Sequence, residues 1–288
     1  MLNVIEDASR TWINPGPGLY NTGNLTAADD PNASLALYEE CAHLDPSYLD
    51  RGYWWREKGT LHWRLDEKRV AEENYREAIA RGDKHARAYL ADALMRTGRY
   101  AEAKIEFENA DITSSPFAAQ WRLSYAAVAH ITDNLSIESQ DLNAEARSAA
   151  TPAAGQDSVS AATRAIEYNA LDPWAQWALC PPAREAGESA LLPMTVAAVS
   201  ALTIPAMWQE LVLDAFNEPE IDDDTRASVI HDALMCAKQY CEEAFNEMIL
   251  TDPIITPTLR ELLIALWQEL ETPSQDLHVR DYGSDRSL

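Results

Sequence analysis

The chain has 288 residues and carries 47 Asp and Glu against 23 Lys and Arg, for a formal net charge of −24 at pH 7. This excess of carboxylates repels phosphate backbones and disfavours DNA or RNA as partners. The four cysteines show no metal-ligand spacing and no disulfide framework, which is typical of the reducing cytoplasm. Ten glycines and no alternating β-branched run predict an all-α fold.

The N-terminal part of the chain contains a lead-in followed by paired helices. Residues 1–32 include the turn-forming run Asn14-Pro15-Gly16-Pro17-Gly18 and show little periodicity, so we expect an extended lead-in there. Residues 33–45 show the first helical pattern. Leu49–Leu65 and Asp66–Arg81 then form a predicted pair of helices.

The clearest helical hairpin runs from Lys84 to Ala110. Apolar residues at helical spacing are followed by a break at Gly98, which suits the left-handed turn that ends a helix. A second apolar stripe follows the break. The two stripes consist of Tyr89, Leu90, Ala93 and Leu94, and of Tyr100, Ala103, Phe107 and Ala110. Because a lone hairpin cannot bury both its faces, this unit requires similar neighbours.

A small–aromatic–small pattern recurs in three predicted second helices. The aromatic residues lie 37 and 32 residues apart, which brackets a period of about 34 residues. An aromatic and a glycine, Trp55 and Gly59, stand in the helix before the middle one. The three sets are Ser34, Tyr38 and Cys41; Ala71, Tyr75 and Ala78; and Ala103, Phe107 and Ala110.

This pattern resembles the tetratricopeptide repeat (TPR) family over about residues 33–131. The family signature places an aromatic, a Leu-Gly pair and a second aromatic in the first helix, and an alanine and an aromatic in the second. Lys58 and His62 depart from that signature. The resemblance implies a TPR-like α-solenoid of helical hairpins over residues 33–132. An ordinary helical bundle has similar stripes and remains the alternative fold.

The composition changes after Thr132. Residues 133–157 are polar and rich in Ala and Ser, and we expect a weak helix and then a linker. Residues 158–271 form a predicted divergent helical C-terminal region, and residues 272–288 a mobile tail.

Three expectations concern the interior of the C-terminal region. The run Cys180-Pro181-Pro182 should stop a helix. Residues 188–217 should form one or two apolar helices, divided near Pro205. Their 21-residue uncharged stretch, Ser189–Gln209, favours a buried helix over a membrane span. A long helix should start at Asp222-Asp223-Asp224-Thr225 and run to about Leu250.

Motifs that carry catalysis or bind small ligands are not found in the sequence. The six histidines include no H-x-x-x-H pair, and the chain has no phosphate-binding glycine loop and no G-x-S-x-G. An EF-hand loop at the Asp222 run lacks the required glycine and glutamate. We therefore predict no enzyme, no cofactor and no metal, with an unrecognised catalytic site as an open alternative.

Charge is distributed unevenly along the chain. Between Arg51 and Arg122 there are 14 Lys or Arg and 12 Asp or Glu, a net of +2; the remainder has 9 and 35, a net of −26. The repeats therefore differ electrostatically from the rest of the chain.

The family resemblance implies a concave groove, lined by the first helix of each repeat, that binds a partner peptide or helix. Arginines there would offer bidentate donors to carboxylates, and a tryptophan a large rigid contact. These arginines could instead pair with neighbouring glutamates. The predicted partner-binding residues are Arg56, Thr60, Trp63, Arg64, Tyr89, Asp92, Arg96 and Arg122.

Three functional hypotheses follow. The first is a cytoplasmic adaptor or scaffold that binds a protein partner, such as an acidic segment, in the groove. The second is an inhibitor or immunity-type protein whose acidic C-terminal half binds a basic protein. The third is a self-closed molecule in which the acidic half docks on its own groove.

Overall fold

The computed structural model describes residues 15–142 and 158–271. Every regular element in these ranges is helical, which confirms the predicted all-α fold class. Thirteen α-helices and one 3-10 turn (Pro46–Asp50, between α2 and α3) follow one another in chain order: α1 (Gly16–Thr26), α2 (Pro31–Leu44), α3 (Gly52–Arg64), α4 (Lys68–Ala80), α5 (Ala86–Arg96), α6 (Tyr100–Glu108), α7 (Ala118–Asp133), α8 (Ser158–Tyr168), α9 (Pro173–Glu185), α10 (Leu191–Ser200), α11 (Pro205–Asn217), α12 (Asp223–Thr251) and α13 (Pro257–Glu271).

The N-terminal half is an array of helical hairpins. Helices α1 and α2, α3 and α4, and α5 and α6 pack as pairs, and each pair contacts the next. Helix α7 packs on α6 as the first helix of a further unit. The predicted helical-hairpin array is therefore confirmed, and it contains one helix more at its N-terminus, α1, than the sequence indicated.

A glycine on the first helix and an aromatic ring on the second hold two of these hairpins together. A Cβ atom placed on Gly59 would lie 2.7 Å from Cε1 of Tyr75 and 3.2 Å from the carbonyl oxygen of Ala71. Gly23 faces the ring of Tyr38 in the same way in the first hairpin. Because a side chain at either glycine would strike the ring, the small residue sets how closely the two helices approach.

The expectation of an extended lead-in over residues 1–32 is wrong for its second half, which contains α1. Pro15 precedes this helix and Pro17 lies in its first turn, where the backbone N–H groups have no partner inside a helix and proline is tolerated. Leu19 is fully buried. The prolines and glycines thus begin a helix where we expected a turn. Residues 1–14 lie outside the described residues.

The polar segment after α7 runs back to the hairpins. The left-handed turn predicted at Gly98 is confirmed, with φ of +81°. Residues 134–142, expected to form part of a weak helix, do not form one: the backbone N–H of Gln140 donates to the carbonyl of Gly98 at 2.7 Å. The Gln140 side chain accepts a hydrogen bond from the backbone N–H of Ala170 at 2.7 Å. Residues 143–157, the rest of the predicted linker, lie outside the described residues.

The C-terminal helices share a core with the array. Helix α10 packs against α7, α9 and α11, and α12 packs against α7, α11 and α13. One continuous cluster of buried residues extends from Ala71 in the second hairpin to Trp267 in α13. The described part of the chain therefore has no break in packing at the composition change near residue 133. The predicted tail, residues 272–288, lies outside the described residues.

Most helix boundaries in the C-terminal region follow the sequence signals. The division near Pro205 and the long helix from the Asp222 run are confirmed, although α12 is kinked at Cys241. The predicted stop at Pro181-Pro182 is wrong, because α9 continues one more turn to Glu185. The uncharged stretch is split between α10 and α11, and none of the described helices is long and apolar enough to cross a membrane.

Candidate functional site

A small pocket lies where the first helices of successive hairpins meet. Helix α3 contacts α5, and α5 contacts α7. The pocket between them has a volume of about 160 Å³. Its walls come from α3, α4, α5, α7 and α12, and we call it the aromatic pocket because six of its residues are aromatic. It is lined by Thr60, Trp63, Tyr75, Tyr89, Asp92, Ala93, Phe117, Gln120, Trp121 and Tyr240.

Ring-to-ring contacts fix the shape of the aromatic pocket. The ring centroid of Tyr89 lies 5.4 Å from that of Trp121 and 6.2 Å from that of Phe117, both edge to face. The Tyr75 and Tyr89 centroids are 5.9 Å apart. The indole Nε1 of Trp121 donates to the Ser115 hydroxyl at 3.0 Å. Such contacts make the walls rigid before any ligand arrives.

The phenols of the pocket stay protonated at neutral pH. Burial raises the pKa of Tyr75, Tyr89 and Tyr240 above the ordinary value. The hydroxyl of Tyr240 donates to the side-chain oxygen of Gln120, which joins α12 to α7 at the pocket wall. Asp92 is thus the one charged group among the lining residues.

Four of the eight predicted partner-binding residues meet in the aromatic pocket: Thr60, Trp63, Tyr89 and Asp92. Sequence reasoning missed the other six lining residues, two of which come from elements that it did not place at the groove. Tyr75 comes from a second helix, whereas we expected the first helices to line the groove. Tyr240 follows Thr60 by 180 positions in the sequence, and its place on the apolar face of α12 gave no sign of what that face covers.

The four predicted arginines lie outside the pocket and pair within the chain. Arg56 donates through Nε to Asp83 at 3.1 Å and through Nη1 to Glu57 at 2.7 Å. Arg64 donates to the carbonyl of Ala27 at 2.7 Å. These donors are already used by the chain's own acceptors.

The remaining two arginines connect the array to the C-terminal helices. The Nε of Arg96 lies 2.9 and 3.0 Å from the two oxygens of Asp92, and its Nη2 donates to the Val199 carbonyl of α10 at 3.2 Å. Burial alone would lower the pKa of Arg96, but Asp92 outweighs it and the pKa is raised. Arg122 forms a two-pronged pair with Asp232 of α12, with Nε 2.7 Å from Oδ2.

The wall provided by α12 closes one end of the surface formed by α3, α5 and α7. Asp232 pairs with Arg122, and Tyr240, two turns further along, borders the pocket. The acidic half of the chain therefore already contacts Arg96 and Arg122, two of the four arginines for which we expected an external partner. Among the described residues, no group of three or more His, Cys, Asp or Glu side chains could hold a metal ion.

No family model matches the chain, and no curated protein matches its sequence. Several solved structures resemble it, among them the following two. One is YrrB, described as a TPR protein with an unusual peptide-binding site, at 12% identity over 73% of this chain and 98% of that one, with a TM-score of 0.42. The other is PilF of Pseudomonas aeruginosa, at 13% identity over 94% and 98%, with a TM-score of 0.37.

Identities and TM-scores this low do not define a site, so the repeat assignment rests on the packing of the chain itself. Two successive hairpins place a glycine of the first helix against a tyrosine of the second, and in the third hairpin Phe107, 32 positions after Tyr75, is buried on the second helix. The hairpins are TPR-like repeats. Their first helices lie side by side, and the aromatic pocket opens on the surface that those helices form.

Proposed function

We propose that this chain is a non-catalytic protein-interaction module that holds a segment of a partner protein along α3, α5 and α7, with one side chain of that segment in the aromatic pocket. The observation that carries the proposal is the pocket itself. Its rigid rings are the kind of surface on which a few residues supply most of the binding energy.

The size of the pocket favours a side chain over a metabolite. At about 160 Å³ it is smaller than the roughly 300–1,000 Å³ of pockets that enclose drug-sized molecules. Thr60 and Trp63 on α3, and Tyr89 and Asp92 on the neighbouring α5, are partly exposed. A partner segment that crosses these helices would place one side chain in the pocket and contact the rim with the next.

Peptide selection tests the proposal. A random twelve-residue peptide library would be selected on the full chain, and the enriched peptides titrated by calorimetry. We expect the Trp63→Ala variant to bind them at least about 30-fold more weakly, as for a tryptophan hot spot of 2 kcal/mol or more. Trp174→Ala is the matched control, because Trp174 is exposed on α9 and does not line the pocket. Equal losses in both variants, or none in either, would contradict the proposal.

A second candidate function, the binding of a basic protein, is favoured by a cleft of about 570 Å³ in the C-terminal half. Glu188, Glu218 and Glu220 line it beside the Arg184–Asp214 pair, so carboxylates are in excess. Such a surface attracts a basic protein with strong salt dependence. The test is to titrate oligolysine into the full chain and into the Glu218→Gln/Glu220→Gln variant. Equal affinity would exclude this cleft.

A further inference from the structure

The charges around the aromatic pocket point to the class of side chain it receives. Asp92 lies in its wall with 15% of its side chain exposed, and both of its oxygens face the Nε of Arg96. A carboxylate has about four acceptor positions, so Asp92 keeps capacity for a further donor. A donor that approaches through the pocket would reach this carboxylate directly.

The wider charge balance at the pocket is negative. Arg56 and Arg96 carry two positive charges, and Glu57, Asp83 and Asp92, their ion-pair partners, carry three negative ones. The net charge of this set is −1, although the repeat region as a whole is net positive. Arg56 and Arg96, two of the four arginines that made an acidic partner plausible from sequence, are therefore neutralised beside the pocket.

Aromatic faces reinforce this preference. Ring faces are electron-rich and attract ammonium or guanidinium groups within about 6 Å, most strongly when water is excluded. The structure contains such a contact at the edge of the pocket, where the Arg56 guanidinium carbon lies 5.3 Å from the centroid of the Tyr89 ring. A second cation would meet the same chemistry inside the pocket.

Other occupants fit less well. An acidic side chain would approach Asp92 and the electron-rich faces, both of which repel it. A neutral ring or aliphatic group would fill the space, but it would remove water from the Asp92 carboxylate without replacing the lost hydrogen bonds. A basic side chain replaces them and gains the contacts with the rings.

We propose that the aromatic pocket binds a lysine or arginine side chain of the partner segment, held between the rings and the Asp92 carboxylate. This assignment rests on the proposed function, and it reverses the charge that the sequence suggested for a groove-bound partner.

The test uses peptides enriched on the full chain whose binding depends on Trp63. We expect Lys or Arg at one fixed position in them. Replacing that Lys by norleucine (a similar chain without the charge), or the Arg by norleucine, should weaken binding about tenfold or more. This comparison uses the unaltered protein, so it does not depend on how well any variant folds.

Protein variants supply the second arm. Asp92→Asn should reduce the affinity for the Lys peptide but not for its norleucine analogue, whereas Asp92→Glu should keep the preference. Glu73→Gln is the control, since Glu73 pairs with Arg69 on α4 away from the pocket. Circular dichroism would confirm that each variant is folded.

The outcomes separate the two proposals. Peptides that need Trp63 but carry an acidic, aromatic or aliphatic anchor would overturn the basic-side-chain assignment and leave the proposed function standing. Failure to enrich any Trp63-dependent peptide would overturn both. Self-association of the full chain that Trp63→Ala abolishes would overturn the assignment by giving the pocket to a second copy.

Discussion

Removing either member of the Arg122–Asp232 pair should have unequal effects on stability. The Asp232 side chain is 3% exposed and the Arg122 side chain 40% exposed. In Asp232→Ala the guanidinium can turn to water. In Arg122→Ala the carboxylate stays buried, with the Nδ1 of the exposed His231 ring 3.3 Å away.

The expected magnitudes follow from these exposures. Leaving a buried charge without its partner costs about 3–5 kcal/mol, and we take about 3 because water reaches the arginine side of this pair. Losing charged hydrogen bonds to a half-exposed arginine costs about 1–2 kcal/mol. The double variant, which leaves no charge behind, should also lose about 1–2 kcal/mol. Arg122→Ala alone should therefore be less stable than Arg122→Ala/Asp232→Ala.

Urea unfolding followed by circular dichroism at pH 7 measures these free energies of unfolding. The reasoning is refuted if Arg122→Ala is no less stable than Asp232→Ala, or if the two single losses add in the double variant. Additive losses would mean that the two groups do not interact across the α7–α12 contact in solution.

Three further predictions test packing and pH dependence. Gly59→Ala should lower the free energy of unfolding by about 1–2 kcal/mol, because the clash with Tyr75 outweighs the gain in helix propensity. In a Tyr75→Leu background, urea unfolding should show that the same substitution lowers the free energy of unfolding less, or raises it. Gln140→Ala should lower the free energy of unfolding by about 2 kcal/mol, since the Gln140 side chain accepts hydrogen bonds from the Tyr100 hydroxyl and from the backbone N–H of Ala170, which follows α8. Ser139→Ala is the control, because Ser139 is exposed, and it should change the free energy of unfolding by less than about 0.5 kcal/mol. Burial lowers the pKa of His130 below its unfolded value of about 6.5. The contribution of His130 to stability is therefore complete above a pH of about 6.5 and is lost as the pH falls through the folded-state pKa. Thermal melts at pH 7.5 and at pH 5 should differ less in His130→Gln than in the wild type.

The hairpins could be predicted from sequence because their signals are local. Apolar spacing fixed the pairs from α3 to α6, and Gly98 ends α5 with the left-handed turn its position indicated. Helix α1 was missed because its prolines and glycines resemble a turn, and its burial depends on α2. The close contact between Gly23 of α1 and the Tyr38 ring of α2 repeats the packing of the next hairpin, which the local composition of residues 15–26 does not indicate.

The site was only half predictable, because it depends on contacts between distant residues. The residues of the first helices reach the pocket as their helical positions implied. The arginines bind partners that are distant in sequence: Asp83 lies 27 positions from Arg56, Val199 lies 103 positions from Arg96, and Asp232 lies 110 positions from Arg122. No local pattern in the chain announces such partners, so the groove was expected to be more basic than it is.

The packing of α10 bears on whether the acidic half is a removable lid or a permanent cap. Met194, Val196 and Ala197 are fully buried in the cluster that also contains Val128 and Ile131 of α7. Lifting the C-terminal helices would expose this apolar surface as well as break the Arg122–Asp232 pair. The binding free energy of a competitor peptide would have to offset both losses, and the binding of one side chain in the pocket cannot do so.

The acidic half is therefore better understood as a cap that shapes the site. It neutralises Arg122 and contributes Tyr240 to the pocket wall. By using the arginine that would favour an acidic ligand, the cap leaves Asp92 and the rings to determine the preference. A partner segment would then extend from the pocket toward α3 and the first hairpin, because α12 occupies the other end.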